Sequence, residues 1–569
     1  MLHPVAPPAG VAHHRVELIS NTPARHAMRL QSLTLALCVS ASALAAQQPA
    51  TALTAADYAR AERYLSRNTV PLMTGTASRA TWLPDGRFWY RTMTESGRRF
   101  VVVDPARRTR SVTTDSAALM PARRELPRGA TPSPDGKRAA FIRDWNLWVR
   151  DLTTGQDRQL TTDGVKDFGY ATDNAGWIRS DRAIVLWSPD SKRIATFQQD
   201  DRPVGEMYLV STAVGHPRLD AWKYPLPGDS VVSMIHRVII DVDAGRLVRL
   251  QMPPDFHRST VCDHIVCEGT RLADAQWSPD GARLAFVSSS RDHKVAQLRV
   301  ADASTGAVRD VLEERVATYF ESGSDRENWY VSWSTNDVLW FSERDDWGHL
   351  YLYDLASGKL KNRVTAGEGN VAEILRVDEK ARTVLFVGVG RERGRDPYFR
   401  HLYRVGFDGR NLRLLTPEDG DHAVNLSPSG AHFVDTWSRP DVPPTSVLRD
   451  MNGRVVLALE KADISQLVAT GWTPPIPFTV KARDEKTDLY GLMFRPSSFD
   501  STRRYPIIVH HYPGPQGGSV GSRSFSPSRG DTRAIAELGF IVIQLDGMGL
   551  PGRTKSFHDA YYGNMGDNG

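Results

Sequence analysis

Trp277-Ser-Pro-Asp-Gly281, running on through ARLAFVSS (282–289) to LRVADASTGAVRDV (298–311), is the stretch on which the fold turns. Pro and Asp preset a tight turn and Gly accepts the positive φ it requires, so the first half is strand, turn, strand. Asp302-Ala-Ser-Thr-Gly306 is a second turn, set between two further strands. The first hairpin returns at Trp82-Leu-Pro-Asp-Gly86, Ser133-Pro-Asp-Gly136, Trp187-Ser-Pro-Asp190, Trp333-Ser-Thr-Asn-Asp337, Val377-Asp-Glu-Lys380 and Leu426-Ser-Pro-Ser-Gly430. The second returns at 146–161, 350–365 and 402–416. Four short strands in roughly 45–55 residues is the period and composition of a propeller blade. The spacing from Pro189 to Pro279 is close to double, and MIHRVIIDVDAGRLVRLQM (234–252) is expected to supply the missing unit. The chain is therefore mainly β, with about eight blades over residues 70–465 and seven as the rival count.

The repeat has different neighbours on each side. Thr54-Ala-Ala-Asp57 is a capping pattern that starts a short helix within 47–69. Near residue 470 the repeat stops at a stiff connector, Gly471-Trp-Thr-Pro-Pro475. A hairpin follows (478–499), then YPIIVHHY (505–512), a helix at 532–540 stopped by Gly539, and FIVIQLDG (540–547). The two compact apolar runs read as strands buried on both faces. Strand–helix–strand at this length implies a parallel crossover. Residues 466–569 thus read as the opening of an α/β sheet.

Composition narrows the function. The 569 residues carry a net charge of +5 with no long basic run, which argues against nucleic acid as a partner. Leu33 to Ala46 is apolar but too short to span a bilayer. With Arg29 before it and Ala43-Leu44-Ala45 behind, it reads as a signal peptide, Met28–Ala46. Residues 1–27 read as an over-long start, and the mature chain is expected to begin near Gln47 and to be exported, periplasmic or extracellular. Of three cysteines, Cys38 leaves with that leader. Cys262 and Cys267 are expected to form a local disulfide in an oxidising compartment. A metal held with His264, or two free thiols, are the alternatives. Phosphate-loop, zinc and calcium spacings are absent from the sequence, so no cofactor is expected.

The order of leader, propeller, connector and α/β opening resembles the dipeptidyl-peptidase IV-like branch of the prolyl oligopeptidase family of serine peptidases. The resemblance rests on Trp187-Ser-Pro-Asp190, Tyr512-Pro-Gly-Pro515, AELGFIVIQLDGMG (536–549) and SFHDAYYGNMGD (556–567), and covers roughly residues 50–569. It implies a propeller capping an α/β-hydrolase domain, peptide substrates, and hydrolysis by a Ser-Asp-His triad in the cavity between them. It also implies that Tyr512 is the oxyanion-hole tyrosine. The family's nucleophile elbow lies downstream of the LDGMG strand, so the chain is expected to be incomplete and to lack the triad.

Gly517-Gly-Ser-Val-Gly521 matches the elbow pattern, with Asp546 and His558 following in hydrolase order. An elbow needs a strand before it and a helix after it. Here Pro513 and Pro515 precede Ser519 and SRSFSPSRG follows, so this reads as a loop. His510 and His511 read as core and loop histidines without a catalytic role. Dipeptide-releasing members hold the substrate's ammonium with adjacent glutamates. The comparable segment here, GYATDNAGWIRSD (169–181), offers only Asp173 beside Asn174 as a substrate ligand. That leaves dipeptide release and wider oligopeptide cleavage both open. Arg123 and Arg124 read as surface charge. A homodimer is left open, and the rival class is a non-enzymatic binding propeller.

Overall fold

The structure is a computed structural model that describes residues 52–114, 119, 125–172, 181–212, 214–262, 264–267, 271–321, 326–512 and 514–566, excepting the side chains of Cys267 and Arg271. The leader, Arg123, Arg124 and Asp173 lie outside the described residues.

The repeated turn folds as its residues dictate. Ser278 Oγ donates to Asp280 Oδ1 at 2.5 Å, and the Asp carboxylate accepts from Ala282 N at 3.0 Å. Ser278 Oγ in turn accepts from Arg283 N at 2.9 Å, and Gly281 sits at φ +66°. Ser133, Asp135 and Gly136 build the same network. At the third turn Ser191 stands in the glycine position at φ +62°, and Ser188 and Asp190 keep the network intact. The motif tryptophans join sheet to sheet: Trp187 Nε1 donates to Thr131 O at 3.2 Å, and Trp277 Nε1 to Leu186 O at 3.0 Å.

Seven antiparallel sheets of at least four strands follow one another along the described chain, over residues 81–113, 131–159, 186–256, 275–315, 330–363, 370–414 and 421–461. Apolar clusters link neighbours from the second sheet to the seventh. The seventh returns to the first: Phe88, Tyr90, Val101 and Val103 pack with Val434, Leu448 and Leu459. Trp82 Nε1 donates to Asn425 Oδ1 at 2.6 Å, and Tyr90 Oη to Glu460 Oε1 at 2.8 Å, across the same seam. This head-to-tail return is that of a β-propeller.

The double-length stretch resolves differently from the expectation. Met234–Asp241 pairs with Arg193–Asp200, so 234–252 completes the third sheet instead of starting another. The intervening chain forms a separate hairpin, Glu206–Ser211 with Arg218–Lys223. Val266–Cys267 and Arg271–Leu272 make a further two-stranded ribbon.

The C-terminal region is a mixed four-stranded sheet in the order Ile476–Lys481, Asp488–Phe494, Ile541–Asp546, Ile507–His510. Ile507–His510 and Ile541–Asp546 are parallel, and Thr532–Glu537 is the crossover helix, as the spacing implied. Burial on both faces is not met: Ile507 is 59% and Val509 58% exposed. Their alternate neighbour Ile508 packs on the cluster of Leu492, Phe494, Ala536 and Val542. Trp472 of the connector is buried against Phe525 and donates Nε1 to Pro527 O at 3.0 Å. Among the described residues, no helix is long and apolar enough to cross a membrane.

Candidate active-site cleft

Polar contacts pin the α/β region to the propeller and thereby shape the space between them. Asp346 accepts from Ser556 N at 2.7 Å and Ser556 Oγ at 2.9 Å. Asn370 Nδ2 donates to Arg553 O at 2.7 Å, and Thr318 Oγ1 to Asp559 Oδ2 at 2.7 Å. Deeper in, Arg523 is only 3% exposed and lies between Asp396 of the propeller, at 2.9 Å, and Asp546 of the α/β sheet, at 2.7 Å.

Above these contacts opens a cleft of about 660 Å³. Propeller residues 259–262, 291–293 and 319–321 form one wall; Pro515, Gln516, His558, Tyr561 and Tyr562 form the other. Tyr319 is central. Tyr562 stacks on its ring at 5.8 Å, His558 meets it edge-on at 5.1 Å, and the Lys555 ammonium lies 4.1 Å from its centroid. Lys555 also pairs with Asp559 at 2.6 Å and lies 3.9 Å from Glu343. Burial raises the Glu343 carboxyl well above its ordinary range, and Lys555 offsets only part of that. Burial likewise raises the Tyr319 phenol, which therefore keeps its proton.

Tyr512 follows the parallel strand Ile507–His510 at its carboxyl end, where sites form in α/β sheets. Its N–H donates to Ser519 Oγ at 2.8 Å, and its side chain is half exposed. It lies close enough to Tyr561 to reinforce the burial that raises the Tyr561 phenol. Tyr561 Oη donates to Gly549 O at 3.1 Å. Gly549, at φ +87°, must be glycine here: a Cβ would lie 1.6 Å from Tyr561 Cε1.

The other sequence candidates scatter. Ser519, Asp546 and His558 form no relay. Ser519 Oγ accepts from Tyr512 N, Asp546 accepts from Val520 N at 3.0 Å and pairs with Arg523, and His558 Nε2 bonds Pro515 O at 2.9 Å. His510 and His511 are both exposed, so His510 is not a core residue. Cys262 lines the cleft with Sγ 2.8 Å from His264 O, and the Cys267 side chain lies outside the described residues. Sequence reasoning missed Tyr319, Glu321 and Tyr562. Their only signal is a pair of aromatic doublets, Tyr319-Phe320 and Tyr561-Tyr562, in turns that nothing local assigns to one cavity.

Among the described residues, one cluster has the composition of a metal site: Glu418, His422 and Asp435. Arg449 stands where a cation would, 2.6 Å from Glu418 and 2.8 Å from Asp435, and His422 Nδ1 is 2.8 Å from Asp435. The group is an ion-pair network that ties Glu418 to Arg449, Asp435 and His422 of the seventh sheet.

A head-to-tail series of antiparallel sheets, the seventh packed on the first, docked on a mixed α/β sheet with an aromatic cleft at the seam, defines a propeller joined to an α/β region. Residues 90–444 match the family model for the dipeptidyl peptidase IV (DPP IV) N-terminal region. The chain belongs to the dipeptidyl peptidase IV-like branch of the prolyl oligopeptidase family. It is 25% identical over 469 residues to a probable dipeptidyl-aminopeptidase B of Neosartorya fischeri, covering 76% of this chain and 48% of that one. It is 27% identical over 478 residues to the probable dipeptidyl-aminopeptidase B of Tuber melanosporum, covering 77% and 50%. The chain thus spans about half the length of the curated relatives it matches. The crystal structure of Porphyromonas gingivalis dipeptidyl peptidase 4 shares the fold with a TM-score of 0.63 at 20% identity, over 86% of this chain and 67% of that one. A putative dipeptidyl aminopeptidase IV from Bacteroides ovatus aligns with a TM-score of 0.61 at 21% identity, over 83% and 64%.

Proposed function

We propose that the seam cleft binds peptides and that this chain supplies the propeller and cleft of an exported serine-type peptidase acting on oligopeptides. The observation that carries the proposal is the meeting of Tyr319 and Tyr562 across the seam, in a cleft walled by both regions. In this role the Tyr512 hydroxyl donates to the oxygen of a scissile carbonyl as charge develops on it, a contact worth roughly 3–4 kcal/mol in comparable sites. Ser519, Asp546 and His558 take no part as a triad. Export by the Met28–Ala46 leader, and a Cys262–Cys267 bridge in the cleft wall, belong to the same proposal.

Titrating an oligopeptide into the full chain, followed by its intrinsic fluorescence, is expected to show saturable binding. Tyr562→Ala, at a half-exposed position, is expected to weaken it roughly tenfold. Unchanged affinity would remove the cleft assignment. A second reading, binding without hydrolysis, draws on the separate engagements of Ser519, Asp546 and His558. A fluorophosphonate probe is expected to leave Ser519 unlabelled, because its Oγ meets no base. Labelling at Ser519 would overturn both the loop reading and the exclusion of this trio.

A further inference from the structure

The strand Arg193–Asp200 leaves the third sheet through Asp201, a carboxylate that is 3% exposed. Gln199 lies opposite Ile235 of the neighbouring strand, and the same alternation carries Asp201 opposite Ser233 on one face of the sheet. Gln199 is 1% and Ser233 4% exposed. Gln199 Nε2 donates to Asp201 Oδ2 at 2.6 Å, so the other atom of that amide, Oε1, lies beside the same carboxylate. Gln199 Oε1 and Asp201 Oδ1 are both buried without a hydrogen-bond partner. The Ser233 hydroxyl faces the carboxyl, close enough to favour its ionised form, yet Ser233 Oγ is also left without a hydrogen bond. Three buried oxygens thus meet with their bonding unmet, and each such atom calls for a ligand or water.

The local charges ask for a cation. Among the described residues Asp201 enters no ion pair. Burial raises its carboxyl, and the neighbouring carboxylates of Asp167 and Asp200 add to that. The basic groups around it are engaged elsewhere. Arg202 pairs with Asp200 at 2.8 Å, and Lys223 Nζ donates to Val204 O at 2.9 Å. Arg237, on the same face as Gln199, pairs with Asp255 at 3.0 Å. A buried carboxylate must hold a partner or a proton.

We infer that Asp201 Oδ1, Gln199 Oε1 and Ser233 Oγ are ligands of a calcium ion at the end of the third sheet. All three donors are oxygens, one charged and two neutral, which is the donor type of a hard cation. Zinc would call for imidazole or thiolate. Magnesium demands near-octahedral geometry and keeps several waters, which a buried corner serves poorly, whereas calcium accepts irregular arrangements. Asp167 brings a second negative charge near, which suits a divalent ion. Asp201 N donates to Asp167 O at 2.9 Å and Gln199 N to Gly169 O at 3.0 Å, so the ion would lock residues 167–169 to the strand end. The rival occupant is a proton: a neutral Asp201 would donate to Gln199 Oε1 with the amide turned round.

The test is equilibrium dialysis of the full chain, first stripped with a chelator, against calcium chloride at constant ionic strength, with thermal melting followed in parallel. One equivalent of calcium is expected to bind, and the melting temperature to rise and then level off. Magnesium chloride at the same concentrations is expected to give a smaller rise. Asp201→Asn, which has the shape of the neutral acid, is expected to lose both the bound calcium and the rise. Without calcium it should melt no lower than the stripped unaltered chain, because it removes an unbalanced buried charge. Ser233→Ala deletes one donor and is expected to weaken calcium binding about tenfold, and it keeps the test independent of any folding defect in Asp201→Asn. Failure to bind stoichiometric calcium overturns the site and leaves Asp201 as a neutral acid bonded to Gln199. A rise that persists unchanged in Asp201→Asn or Ser233→Ala, or an equal rise with magnesium, overturns it as well.

Discussion

The propeller and the α/β region bury their strands in different ways. Six of the seven propeller sheets come from consecutive chain, three first turns are closed by local Ser–Asp networks, and apolar clusters join neighbouring sheets. The α/β sheet is assembled out of order, with Ile507–His510 at its edge, and leaves Ile507 and Val509 in solvent. Local contacts are therefore expected to make the propeller self-sufficient, whereas the α/β region is held to it by the Asp396–Arg523–Asp546 chain and the Asp346 and Asn370 contacts.

Two buried arginines give the sharpest break of that comparison. Arg449 is 2% exposed and pairs with Asp435 and Glu418 inside the seventh sheet; Arg523 does the same work at the seam. Removing one partner of a buried pair costs about 3–5 kcal/mol, because it leaves a charge without compensation. Arg449→Met is expected to unfold the propeller and with it the whole chain. Arg523→Met is expected to loosen only the seam, so that limited proteolysis trims the chain to near residues 465–475 and leaves the propeller core. Two identical digestion patterns would end the idea of unequal self-sufficiency.

Acid should act on the propeller first. Burial, reinforced by His264, pushes His257 down to about 3. Burial with Arg391 nearby takes His349 to about 4, and burial with His422 nearby takes His401 to about 4. Each folded value lies below the unfolded one, so between them the unfolded chain binds more protons. The associated stability is complete above about pH 6.5 and is lost as pH falls toward 4 and 3. Melting temperatures measured from pH 7.5 to 4.5 are expected to fall steadily, and His257→Asn to flatten the slope. A flat profile for the unaltered chain would show that these rings titrate alike in the folded and unfolded chain.

The same contrast decides what could be read from sequence. Turn chemistry is local, so Trp277-Ser-Pro-Asp-Gly281 and its copies fixed the strands correctly. Met234–Asp241 carries the pattern of an opening strand, but its partner is Arg193–Asp200, across the Glu206–Ser211 hairpin, and no spacing rule sees that pairing. The cleft is further from view. Tyr319 and His558 meet only because two unrelated loops are docked. Only the position of Tyr512, just after the strand Ile507–His510, was legible, from the apolar run that precedes it.

The gentlest test concerns the exposed edge. Among the described residues, Ile507–His510 pairs on one side only, with Ile541–Asp546, and its apolar residues Ile507 and Val509 face solvent. An unpaired apolar strand is a template for another chain, and a lysine on such an edge blocks it. Val509 is 58% exposed, so Val509→Lys removes little packing and is expected to change stability by no more than about 0.5 kcal/mol. Its effect should appear instead in association: light scattering at rising concentration should show less self-association than the unaltered chain. Val384→Lys is the control inside the propeller, where the residue is fully buried and the same change should be strongly destabilising. If Val509→Lys destabilises comparably, the outer face of the α/β sheet is covered in solution. The two regions would then bury their strands alike.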